Sequence, residues 1–176
     1  MRRLIPRKAQ MMVRKSKKLL ASYEEAYDFA LDRLSVRDYS TKDMEGKLRE
    51  RNCPSALITQ VIAKLLENKF IDEERYGQRV YEYWLTKKFY GRQHLRMTLM
   101  KKKVRSDLIS GLVKQLTHAE EEKRAEAYTD SNLPKFRKKY GEETQKIAGA
   151  LARGLGSRGF STEIISTMLG RARCSE

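Results

Sequence analysis

The sequence predicts an all-α protein of three tandem three-helix repeats stacked into an elongated array, and three observations lead there. Helix-forming Leu, Lys, Arg, Glu and Ala dominate, and only 3 prolines and 10 glycines interrupt 176 residues, so little or no sheet is expected. Between those interruptions apolar residues recur at helical spacing. The chain also repeats itself: aligning Ser40 with Gly91 places Met44 on Leu95, Leu48 on Leu99, Cys53 on Val104, Leu57 on Leu108, Val61 on Leu112 and Leu65 on Leu116. A third copy puts Leu151, Leu155, Phe160, Ile164 and Met168 in the first five of those columns. Ser55, Ser106 and Thr162 share a further column, read as a capping hydroxyl.

The elements follow in order. A basic arm covers residues 1–22 and is expected to be disordered or loosely attached, adding nonspecific affinity. The first repeat, residues 23–70, opens with a helix over 23–35 whose Ala26, Phe29, Ala30 and Leu34 share a face. Ser40 with Asp43 suggests a capping box for a second helix to about Arg51, and Pro54 suits the first position of a third helix ending near Asn68. In the second repeat, residues 71–117, Asp72, Glu73 and Glu74 suit a helix N-terminus, read as an exposed first turn. That helix is expected to run through Trp84 to Phe89, with Gly91 breaking it, and helices over 92–102 and 106–116 follow. In the third repeat, residues 118–176, Pro134 should kink or split a long helix over 119–139; helices over 142–155 and 161–171 close the chain. A unit of this size is marginal alone, so neighbours should share core.

Composition bounds the function. The net charge of +15 attracts phosphate backbones, anionic membranes or acidic protein surfaces. It is unevenly spread: residues 1–22, 23–69, 70–116 and 117–176 contribute +8, −1, +6 and +2, so the middle of the chain is basic in its own right. Cys53 and Cys174 lack any paired spacing, which argues against a disulfide framework or zinc site and fits a reducing cytoplasm. Charges at Arg7, Lys8, Arg14, Lys15, Lys17 and Lys18 break up any signal-peptide core, and no stretch approaches a membrane span.

An enzyme reading finds no catalytic constellation, metal site or cofactor site. His94 and His118 have no ligand at helical spacing, and no phosphate loop ends in Lys-Ser or Lys-Thr. Gly154, Gly156 and Gly159 follow no strand, so they read as a helix end with its turn. A binding reading has more material. From Tyr83 to Arg105 there is no acid, while Lys87, Lys88, Arg92, Arg96, Lys101, Lys102, Lys103 and Arg105 crowd together. Arg92 and Arg96, four apart, could reach one anion; Trp84, Phe89 and Tyr90 read as core.

Ala30-Leu31-Asp32-Arg33-Leu34, Arg37, Tyr39-Ser40, Lys47-Leu48 and Phe70-Ile71-Asp72-Glu73-Glu74-Arg75-Tyr76 together resemble the RecX family signature. Gly91-Arg92 with Leu95, Leu99 and Lys103-Val104 resembles the pattern that follows it. The likeness covers residues 24–116 well and 117–173 more weakly. Glu73 stands for a second Asp, Tyr76-Gly77 for Phe-Ala, and Lys103 for a glycine, so Lys103 must take a turn without glycine's freedom. The resemblance implies a curved array that binds as a monomer in the groove of the RecA–DNA filament. It further implies limits on RecA ATPase, strand-exchange and coprotease activities, with no cofactor, no membrane role and single- or double-stranded DNA as a further partner. Arg75, Lys87, Lys88, Arg92, Arg96, Lys101, Lys102, Lys103 and Arg105 are the expected contact surface. An independent DNA-binding protein is the alternative reading.

Overall fold

The computed structural model describes residues 19–174, so residues 1–18 of the basic arm lie outside the described residues. These form an all-α chain: α1 (Tyr23–Val36), α2 (Thr41–Arg49), α3 (Ser55–Glu67), α4 (Glu73–Leu85), α5 (Arg92–Lys101), α6 (Ser106–Gln115), α7 (His118–Tyr140), α8 (Thr144–Ser157) and α9 (Thr162–Cys174). The helices pack chiefly in three groups, α1–α3, α4–α6 and α7–α9, and each group closes over its own apolar core. The first core also takes in Leu20, whose N–H donates to Arg51 at 3.2 Å, and Ile71, so this unit reaches slightly past residues 23 and 70 on both sides.

The aligned columns share an environment. Met44, Leu95 and Leu151 are fully buried, as are Leu48, Leu99 and Leu155. The turn between second and third helices recurs with them. Asn52, Lys103 and Gly159 take positive φ of 52°, 55° and 75°, and the next residue, Cys53, Val104 or Phe160, donates its N–H back to the carbonyl of Leu48, Leu99 or Leu155. A left-handed residue followed by that six-to-one bond is the Schellman solution for ending a helix, which satisfies a carbonyl and folds an apolar residue back onto the core. Lys103 thus adopts the turn expected of it without glycine.

Several boundaries differ from expectation for identifiable reasons. Ser55, Ser106 and Thr162 are the first helical residues, not caps. Pro54 and Arg105 occupy the N-cap positions without a side-chain bond, while in the third unit Ser161 Oγ accepts from the Ile164 N–H at 3.3 Å. Ser40 Oγ accepts from the Asp43 N–H at 3.2 Å, but the Asp43 carboxylate pairs with Lys103 at 2.9 Å; the full capping box lies at Thr117 and Glu120. The α4 helix stops at Leu85 because the Arg124 guanidinium donates to the Leu85 carbonyl at 3.0 Å and to that of Lys87, replacing the bonds a further turn would make. Pro134 neither splits α7 nor ends it: Pro134 and Asp130 are both exposed, so water can serve the carbonyl that loses its amide partner.

Two joints connect the units, and both use one device: a buried glutamate near the start of a unit's first helix caps the second helix of the unit before it. Glu73 Oε1 accepts from the Thr41 N–H at 2.6 Å, and Glu121 Oε1 accepts from the Arg92 N–H at 2.8 Å. Glu73 is therefore not part of an exposed first turn, as its neighbours suggested; its Oε2 is buried with no hydrogen-bond partner among the described residues. Otherwise the joints differ. The first adds ion pairs, Arg79–Asp38 and Lys103–Asp43, with partly exposed partners. The second adds backbone bonds at 3.0 Å from Gly91 N–H to Arg158 O and from Gln93 N–H to Gly159 O, together with an Arg124 guanidinium 4.9 Å over the Trp84 ring. The α8 helix begins three residues before Ile147, the counterpart of Ser40 and Gly91, so its own first turn occupies the place where α2 and α5 take a glutamate.

Candidate functional site

The acid-free stretch folds into the end of α4, the 86–91 connection, α5 and the turn into α6. Its apolar residues at core spacing go inward, as the amphipathic pattern requires. Leu95, Leu99 and Trp84 are fully buried, Phe89 crosses the second joint to meet Tyr128 edge-on at 6.0 Å, and Tyr90 lies against His94 at 4.1 Å. The Trp84 indole N–H donates to His94 Nδ1 at 2.9 Å, which requires a neutral imidazole protonated on Nε2. Burial, reinforced by the nearby Lys87 ammonium, holds the His94 pKa below its ordinary value, consistent with that role.

The expected cations divide into two sets. Arg75, Lys88, Arg96, Lys101 and Lys102 are exposed, and among the described residues their charged groups hold no ion pair or hydrogen bond. The other four are engaged. Lys87 lies 5.9 Å over the Tyr90 ring, Lys103 pairs with Asp43 across the first joint, and Arg105 pairs with Asp107 at 2.8 Å. Arg92 belongs to the second joint: its Nε donates to Leu116 O at 3.0 Å and lies 3.4 Å from Glu121 Oε2. Arg92 and Arg96 thus do not form a matched pair open to one anion, because the first points into a seam and the second to solvent.

The remaining motif residues are structural. Leu34 packs against the first core, Arg37 stacks over the buried Tyr39 ring at 4.0 Å, and Ser40 is buried beneath the first turn of α2. Asp72 Oδ1 caps α4 by accepting from the Arg75 N–H at 2.9 Å, and the Tyr76 hydroxyl donates to Lys102 O at 3.1 Å. Gly91 serves by lacking a side chain: its φ of −94° suits any residue, but a Cβ there would stand 2.5 Å from Gly159 O. Periodicity did not single out Met97 and Met100, which are exposed on α5 beside Arg96 and Lys101. A sequence signal existed, since both fall outside the Leu95–Leu99 column. Among the described residues no group of His, Cys, Asp and Glu is placed to hold a metal ion, and no helix is long and apolar enough to cross a membrane.

Comparison with known proteins agrees with this anatomy. Residues 26–65, most of the first unit, match the family model described as RecX, first three-helix domain. The regulatory protein RecX of Leuconostoc mesenteroides is 27% identical over 153 residues, covering 85% of this chain, which spans 55% of that relative's length. The RecX of Mycolicibacterium smegmatis is also 27% identical, over 159 residues, 85% of this chain and 82% of the relative. The crystal structure of RecX from Lactobacillus salivarius has the same fold, with a TM-score of 0.73 at 20% identity over 86% of this chain and 97% of that one. Over most of its length the chain is thus similar to regulatory proteins RecX, and its first unit matches that family's first three-helix domain.

Proposed function

We propose that the chain is a non-enzymatic regulator that binds the RecA–DNA filament as a monomer and modulates, mostly by inhibition, its ATPase, strand-exchange and coprotease activities. The observation that carries the reading is the state of the second unit, where Lys88, Arg96, Lys101 and Lys102 stand exposed and, among the described residues, unpaired in a stretch without a carboxylate. Solubility does not call for charge this one-sided, whereas an anionic polymer of protein and nucleic acid is complementary to it. The similarity supports the same reading, since the relatives are named regulatory proteins. Adding the protein to preformed RecA filaments and following ATP hydrolysis tests it. Hydrolysis should fall as the protein saturates the filament, and an unchanged rate at saturation refutes the reading.

The net charge of +15 favours a second reading, an independent DNA-binding protein. Several phosphate contacts would make affinity for bare DNA fall steeply with salt. Tight binding to bare DNA at physiological salt, with no gain from RecA, would select this alternative.

A further inference from the structure

The outer face of α5 is unlike the same face of the other two units. Positions 96, 97, 100 and 101 lie together opposite the buried Leu95 and Leu99, as helical spacing dictates, and hold Arg96, Met97, Met100 and Lys101. In the aligned columns α2 carries Glu45, Gly46, Arg49 and Glu50, and α8 carries Ala152, Arg153, Gly156 and Ser157. The fold therefore needs no large apolar group here, since two of three copies do without one. Yet Met97 and Met100 are each 55% exposed, side by side and flanked by Arg96 and Lys101, which have no ion pair among the described residues.

We infer that Met97 and Met100 form the apolar centre, and Arg96 and Lys101 the charged rim, of a docking face for a protein surface that carries carboxylates around an apolar recess. This rests on the filament reading above and assigns the contact to the filament's protein rather than its DNA. Charge complementarity selects an acidic partner, because no carboxylate lies between Tyr83 and Arg105. The thioethers select a protein. Flexible, polarizable methionines adapt to apolar recesses and are enriched at protein interfaces, with cations tolerated at the rim. Phosphates gain nothing from them. Base stacking needs a run of aromatic platforms, and Tyr81, Trp84, Phe89 and Tyr90 of this region are buried or half-buried, which leaves Tyr83 on α4 as a single exposed ring.

The test uses the full chain, RecA filaments assembled on single-stranded DNA, and the same DNA bare. Met97→Gln with Met100→Gln changes only exposed side chains, and circular dichroism should match the wild type. This double variant should bind the filament about tenfold more weakly, leaving bare-DNA affinity and the salt dependence unchanged. Arg96→Gln with Lys101→Gln should instead flatten the salt dependence. The inference is overturned if the methionine variant binds filament like the wild type, or loses bare-DNA affinity by the same factor. A wild-type chain that ignores the filament overturns both this inference and the reading beneath it.

Discussion

Gly91→Ala places a methyl group inside the second joint. The new Cβ would lie 2.5 Å from Gly159 O and 2.8 Å from Glu121 Oε1, so the two units must separate by about 0.7–1 Å to restore ordinary contact. Three bonds span that gap: Gly91 N–H to Arg158 O, Gln93 N–H to Gly159 O and Arg92 N–H to Glu121 Oε1, at 3.0, 3.0 and 2.8 Å. Weakening these bonds, each worth about 1 kcal/mol net, and overpacking a rigid seam by about 1–3 kcal/mol are the losses. The alanine recovers roughly 0.4–1 kcal/mol by restricting the unfolded chain. A net destabilisation of about 2–4 kcal/mol follows, which at a urea m-value of about 2 kcal/mol/M lowers the midpoint by about 1–2 M. Gly111→Ala in α6 is the matched control. Nothing lies within 4 Å of its would-be Cβ, so helix propensity acts alone and the midpoint should rise by about 0.3–0.5 M. Urea unfolding followed by far-UV circular dichroism measures both. A Gly91→Ala midpoint equal to or above the wild type refutes the claim that a close backbone approach joins these units.

Further outcomes follow from the same structure. Because the His94 pKa is depressed in the folded state, its contribution to stability is complete above the unfolded imidazole value of 6.5 and is lost as pH falls through 6.5 toward the lower folded pKa. Fluorescence of Trp84, the sole tryptophan, should titrate with a midpoint below 6.5 in the wild type and be flat in His94→Gln; a retained titration contradicts the assignment. Lys103→Gly relieves a positive φ of 55°, worth about 1 kcal/mol, but removes the Asp43 ion pair, worth at most about 1 kcal/mol between partly exposed groups. Thermal unfolding should show little change at low salt and a gain at high salt, where the ion pair is already screened; a loss in high salt would be the wrong sign.

Much of this fold is legible in the sequence because helices declare themselves locally. The column from Met44 through Leu95 to Leu151 predicts burial, and those side chains are fully buried. Ser40, Asp72 and Lys103 likewise announce two caps and a turn through residues a few positions away. The joints are not legible, since their bonded partners are 29 to 67 residues apart and no period links Glu121 to Arg92 or Gly91 to Arg158. Hence Glu73 resembles an ordinary acid of a first turn, and Arg92 a free cation beside Arg96. The candidate surface is half legible on the same grounds. Its charge shows as a run without acids, and helical spacing sets Met97 and Met100 opposite Leu95 and Leu99, but which cations stay free depends on what each neighbouring unit covers.

Filament length is the most direct measure of the account as a whole. RecA filaments grown on long single-stranded DNA should shorten progressively in electron micrographs as the protein is added, while Arg96→Gln with Lys101→Gln should leave them substantially longer at the same concentration. Lengths that do not respond to the wild-type protein, or that fall equally with both proteins, would contradict a regulator acting through the cationic face of its second helical unit.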